Sequence, residues 1–227
     1  MNKIAIFGSY NGSSVGDSAT LMGLLDSLRS SGAGERNFRI IVPSLFDLER
    51  ELLGFDINIV KLNPAGTTRI FSTYLGGNSN EQPHSLVVDG NGNLTVAGRT
   101  LSANYPLAGA GAIGTGGLWD IVVTKFNAAG SALIGSVRIG GTGNDGVNHR
   151  HKFPNPVPGF TDQNYGDDAR SEVVVDSVGN VYVAASTQSN NFPVTANNVQ
   201  GSLRGLQDVI VLKLNANLTT LDFATYL

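Results

Sequence analysis

Cysteine is absent from this 227-residue chain, which excludes a disulfide framework and any thiolate metal site. Charge is scarce as well. Asp, Glu, Lys and Arg make up 15% of the residues and leave a net charge of −3, so the chain has no basic footprint for nucleic acid or an anionic membrane. No apolar run approaches membrane-spanning length. Near the N-terminus the apolar core is only IAIF at residues 4–7, too short for the h-region of a secretory signal. What is present in quantity is glycine, 29 residues, as a turn-rich β protein requires. Apolar residues reach 41%, enough to support a core.

One stretch is written three times. Residues 56–77 read DINIVKLNPAGTTRIFSTYLGG, residues 120–141 read DIVVTKFNAAGSALIGSVRIGG, and residues 208–227 read DVIVLKLNANLTTLDFATYL. Each copy has an Asp, an apolar strand with a Lys near its end, an Asn opening a turn, and a second strand. The step from Asn63 to Asn127 is 64 residues, as is that from Gly76 to Gly140. Asp89 to Asp176, Thr100 to Thr187 and Pro106 to Pro193 are each 87 apart. The underlying unit is therefore about 64 residues, with some 23 extra residues inserted in the second copy.

Each unit reads as four strands, in the second copy at about 120–126, 131–139, 171–176 and 180–186. Val/Ile-rich runs of this length, separated by Asn/Asp/Gly turns, signal an antiparallel meander. The turns Asn63-Pro-Ala-Gly66 and Asn127-Ala-Ala-Gly130, like Asp89-Gly-Asn-Gly-Asn93, place an Asx residue first and glycine late. A repeated four-stranded sheet is the blade of a β-propeller. The run KLNPAGT, FSTYLGG, SLVVDGNGNLTVAGRT and NYP, in that order, resembles the seven-bladed β-propeller repeat family of bacterial proteins over about residues 55–227. The resemblance implies an exported or cell-surface setting, although no signal peptide is visible.

Residues 1–54 are of another kind. A strand near 3–8, an amphipathic helix over 17–30, a strand at 38–42 and a helix to about 53 form a βαβα, Rossmann-like stretch. The loop GSYNGSSVGD presents backbone N–H groups at a helix N-terminus, which suits an anion. This opening resembles the N-terminal motif of polysaccharide pyruvyl transferases. The resemblance implies an anion- or substrate-binding loop of Gly8, Asn11, Gly12, Gly16 and Asp17, with Asp17 as the catalytic candidate. After Phe55 nothing matches that family.

Other chemistry is sparse. His149 and His151 sit two apart in the insertion, without a third zinc ligand at convincing spacing. Calcium is the alternative to having no cofactor: Asp89, Asn91 and Asn93, or Asp145 with Asp167 and Asp168, offer oxygen ligands. Turn-closing Asx hydrogen bonds explain these residues more simply. Trp119 is expected to pack between blades.

The expected architecture is mainly β: a head at 1–54, then an incomplete β-propeller of four-stranded antiparallel blades over 55–227. The sequence frame puts blade 1 at about 55–106, blade 2 at about 118–193 with the insertion 142–167, and a half blade at 207–227. The leading function is a non-enzymatic module for interaction or cell-surface structure. Its interaction loop is the insertion, with Asn148, His149, His151, Phe153, Phe160 and Tyr165 as candidates. Expected partners are a protein, a carbohydrate, or further copies through blade edges, with no nucleic acid and no membrane span. The alternative is a pyruvyl-transferase-like enzyme using the head.

Overall fold

The computed structural model describes residues 4–7, 38–43, 57–63, 65–147 and 171–227. Both helices expected in the head, its glycine-rich loop and most of the insertion lie outside these residues. The described part contains thirteen strands and no helix. No helix among these residues is long and apolar enough to cross a membrane.

The strands fall into three sheets. The first contains β1 (Ile4–Phe7), β2 (Phe38–Pro43), β3 (Ile57–Leu62) and β4 (Arg69–Leu75) in that order. The second runs β5 (Glu81–Val88), β6 (Leu94–Thr100), β8 (Asp120–Phe126) and β9 (Leu133–Gly140), with β7 (Gly111–Gly114) added at its edge. The third is β10 (Ser171–Val175), β11 (Val181–Thr187), β12 (Asp208–Leu214) and β13 (Leu221–Tyr226). Apart from β1 on β2 and β7 on β9, which are parallel, every pairing is antiparallel.

The sheets are built across the sequence repeat. The second sheet spans residues 81–140, so it takes its first two strands from one sequence unit and its next two from the following one. The reason is where the chain changes sheet. β6 and β8 stay hydrogen-bonded across the 101–119 connection, Leu94 facing Phe126 and Thr100 facing Asp120. β9 has no ladder to β10, because the chain crosses to the next sheet after Gly140-Gly141. β2 pairs with β3 as β6 does with β8 and β11 with β12, so the two head strands complete the sheet that β3 and β4 begin.

The hairpins form as their turn residues dictate. Asn127 Oδ1 accepts from the backbone of Ser131 at 2.9 Å and Ala132 at 3.3 Å, while Gly130 N–H bonds back to Asn127 O at 2.9 Å. Asn63 and Asn215 repeat this with Thr67 and Thr219. The fourth turn residue must take positive φ: Gly66 and Gly130 at 69°, and in the third copy Leu218 at 55°. In all three hairpins the register slips directly after the lysine, between Lys61/Leu62, Lys125/Phe126 and Lys213/Leu214. A bulge at that point re-aims the neighbouring side chain.

Two apolar layers join the sheets. Ile59, Phe71 and Leu75 of the first sheet pack on Leu86, Leu94, Val96, Val122 and Phe126 of the second. The opposite face of the second sheet, Ala97, Ile121, Val123, Val137 and Ile139, packs on Val173, Val181, Val183, Ile210, Leu212 and Leu214 of the third. Strand alternation produces this: even positions of β8 face back and odd positions face forward.

Candidate functional site

Two polar systems recur at opposite ends of the strands. The first explains the paired glycines. Where β4 leads toward β5, a Cβ on Gly77 would stand 2.5 Å from Ser102 Cβ and 2.6 Å from Asn104 Oδ1. Where β9 leads toward β10, a Cβ on Gly141 would stand 2.5 Å from Asn191 Oδ1 and 2.6 Å from Ser189 Cβ. Backbone N–H groups just past each glycine then bond those side chains. Asn78 donates to Asn104 at 2.8 Å and Ser79 to Ser102 at 2.8 Å; Thr142 donates to Asn191 at 2.9 Å and Gly143 to Ser189 at 2.9 Å. A buried acid anchors each set. Thr100 Oγ1 donates to Glu81 at 2.7 Å, and Thr187 Oγ1 donates to Asp145. The carriers are TLSAN at 100–104 and TQSNN at 187–191. Of this pattern, sequence reasoning caught Thr100 and Thr187 and missed the Thr-x-Ser-x-Asn around them.

Electrostatics at this end follow from burial. Asp145 is fully buried, and that burial holds its carboxyl above the usual range despite bonds from Thr187, Gly141 and Ser189. Asp120 is 4% exposed, and its Oδ1 accepts no hydrogen bond among the described residues. Burial pushes it from 3.8 to about 6; Arg138, 3.4 Å away, pulls downward and Asp145 pushes further up. Gly140 lies between these two acids, and a Cβ there would strike Asp120 and come within 2.7 Å of Asp145 Oδ2. Around this buried network lies an exposed rim. Asn144, Gln188 and Gln207 form a chain of side-chain amides at 3.2 and 3.4 Å, beside Leu118 at 59% and Leu206 at 91% exposure. Trp119 lies under Arg99, 4.2 Å from guanidinium carbon to ring centre.

The second system is a grip of each sheet on the turn of the next. Lys61 Nζ donates to Ala128 O at 2.9 Å. Lys125, one unit on, donates to the equivalent Ala216 O at 3.1 Å and to Gly179 O at 3.3 Å, with Asp89 Oδ2 at 3.5 Å. The strand residue opposite the lysine completes the fit. Phe71 lies against Gly130, where a Cβ would be 2.5 Å from the ring; Gly135 leaves the corresponding room for Leu218, whose Cβ is 2.7 Å from where a Gly135 Cβ would stand.

The predicted calcium residues fall in turns. Asp89 Oδ1 accepts from Asn91 N and Asn93 N at 2.9 Å each, and Oδ2 from Asn93 Nδ2 at 2.9 Å. Burial alone would raise Asp89; the Asn93 bonds, Lys125 and the Asn91 bond together outweigh it and hold the carboxyl below its ordinary 3.8. Asp176 repeats the turn with Asn180 and Val178. Asp145 lies at the other end of the sheet, in the network above. Asp167 and Asp168, the loop residues Asn148, His149, His151, Phe153, Phe160 and Tyr165, and the head residues Gly8, Asn11, Gly12, Gly16 and Asp17 lie outside the described residues. Among the described residues no group of three or more acids and histidines is placed to hold a metal ion.

Residues 70–106 and 171–193 match the family model described as Beta-propeller repeat. These two stretches are similar to that repeat. The two matched stretches of the propeller repeat are the parts that hold β4 to β6 and β10 to β11, including both Thr-x-Ser-x-Asn segments. No curated protein matches the chain.

Proposed function

We propose that the chain is a non-enzymatic β-propeller-repeat module that acts by presenting a surface for interaction. The observation that carries this reading is the repetition of its buried polar chemistry. Glu81, Thr100 and Ser102 recur as Asp145, Thr187 and Ser189, each set fastening the backbone where the chain changes sheet. Acids and hydroxyls that in isolation would suggest a reactive site are thereby accounted for as architecture. The rim above them, with Leu118, Asn144, Gln188, Leu206 and Gln207, supplies exposed amides beside apolar side chains. That mixture suits a carbohydrate or a protein segment, which pairs an apolar face with hydrogen-bonding groups. The insertion expected at 142–167 begins at this same rim. A cell-surface or extracellular structural role is consistent with the reading.

A glycan and peptide array probed with the full chain tests it. A retained ligand class that is lost when Leu118, Asn144 and Gln188 are changed together to Ala is the expected result. Absence of any retained ligand, or retention unchanged by the triple substitution, overturns the placement.

A further inference from the structure

The forward face of the third sheet repeats, position for position, a face that is covered elsewhere in the molecule. Val209, Val211 and Lys213 of β12 stand where Ile121, Val123 and Lys125 stand in β8. Ile121 and Val123 are sealed by the third sheet, whereas Val209 is 45% exposed and Val174, on the same face of β10, 61%. Lys213 has the register of the two gripping lysines. It lies 3.9 Å from Asp222 and 5.6 Å from the Tyr182 ring centre, with its side chain nearly a third exposed.

What would cover this face can be read from the residue opposite the lysine. Lys213 pairs with Phe223, as Lys61 pairs with Phe71 and Lys125 with Gly135. A phenylalanine there meets a turn ending in glycine, Phe71 with Gly130; a glycine there admits a turn ending in leucine, Gly135 with Leu218. The Lys213–Phe223 pair therefore calls for an Asn-x-x-Gly turn. The chain has such a turn at residues 63–66, closed by Asn63 bonds to Thr67 and ending in Gly66 at φ 69°. The sheet face behind that turn is also less covered than its counterparts. Val60 and Leu62 are half-buried, while Thr124, Phe126, Leu212 and Leu214 at matching positions are buried.

The geometry points to head-to-tail association of two copies of this chain. The forward face of the third sheet in one copy seats the first sheet of another, with Lys213 at the turn that Asn63 opens and Phe223 packed over Gly66. The contact joins two different surfaces, so it is heterologous and propagates into a ring or a filament. This rests on the interaction-module reading, but its lysine–turn contact, at Lys213, Phe223 and Gly66, is at the opposite end of the strands from the rim, and Phe223 and Gly66 carry the test free of rim residues. Array binding and association can therefore fail independently.

Sedimentation velocity on the full chain over a wide concentration range tests the contact. The wild-type chain is expected to sediment as multiples of one chain. Val209→Glu, which blocks the donor face, and Gly66→Leu, which blocks the acceptor turn, each remain monomeric, the apparent Kd rising by at least about tenfold. An equimolar mixture of the two variants stops at a heterodimer, because one intact donor face meets one intact acceptor turn. Adding Phe223→Gly to Gly66→Leu recreates the Gly135–Leu218 pairing and restores assembly. A wild-type chain that stays monomeric throughout overturns the proposal. So does assembly indifferent to both substitutions, or assembly lost with only one of them, since that marks a like-to-like contact.

Discussion

Lys125 is the residue on which two sheets and three of their turns converge. Its ammonium is buried between the Asp89 carboxylate and two carbonyls of the third sheet. Truncating one partner of a buried charged set leaves the rest desolvated without compensation, so Lys125→Ala is expected to lower stability by about 3 kcal/mol. Lys213→Ala, measured at dilution, removes a partly exposed charge and is expected to change stability by less than about 1 kcal/mol. Urea midpoints compare the two, and equal losses would show that the grip on the next turn contributes nothing. Asp120 supplies the pH dependence. Its folded-state pKa is raised from 3.8 to about 6, so the folded chain holds the proton more tightly than the unfolded one. The associated stability is fully present below 3.8 and is lost as pH rises through about 6. Asp89 acts in the opposite sense: its carboxyl is lowered, and its contribution disappears as pH falls. Asp120→Asn is expected to flatten the decline between about pH 4 and 6, a term of up to about 3 kcal/mol. Urea titrations at stepped pH check this, and an unchanged slope would remove Asp120 from the account.

The connections between sheets carry the most specific demand on sequence. A methyl group at Gly77 or Gly141 collides with serine and asparagine side chains that are themselves bonded to the adjacent backbone. Gly77→Ala and Gly141→Ala are each expected to cost about 1–3 kcal/mol. Gly90, in the Asp89 turn with nothing within 4 Å of an added methyl, should accept Ala nearly without loss. Thermal unfolding of the three variants decides between a steric and a merely conformational role for the glycines. The repeat, the turns and the strands are legible in sequence: the pattern predicts 120–126, 131–139, 171–176 and 180–186, and the strands are Asp120–Phe126, Leu133–Gly140, Ser171–Val175 and Val181–Thr187. The frame of the sheets is not. Periodicity marks which residues form a strand, while the choice of neighbour depends on which connection turns back and which crosses over. β7 escapes a sequence reading because GAIG at 111–114 has little strand propensity and is held by its ladder to β9. The rim is visible in sequence only where the insertion begins, since Leu118, Gln188 and Leu206 are far apart in the chain and share no local pattern.

At the scale of the molecule, the second sheet has an apolar partner on each face, and its stability is tied to both. Ile121→Ala opens a void in the layer shared with the third sheet and is expected to cost about 2–5 kcal/mol. Val209→Ala, at the matching position one sheet later, is expected to stay within about 1 kcal/mol when measured on the dissociated chain. Denaturant unfolding followed by Trp119 fluorescence and by circular dichroism should give one transition for Ile121→Ala as for the wild type. Separate transitions would mean that the second and third sheets do not unfold together.

The half-unit stagger between repeat and sheet has a consequence for synthesis. Translation delivers the chain from its N-terminus, and each sequence unit emerges with β-strands destined for two different sheets. When residue 100 has left the ribosome, β5 and β6 are available, but the partners that seal β6 are twenty or more residues behind. The growing chain thus always exposes one unfinished ladder, which the following unit then closes. A nascent chain stalled after residue 119 should bind a hydrophobic-surface dye more strongly than one stalled after residue 141, although the longer chain has more apolar residues to expose.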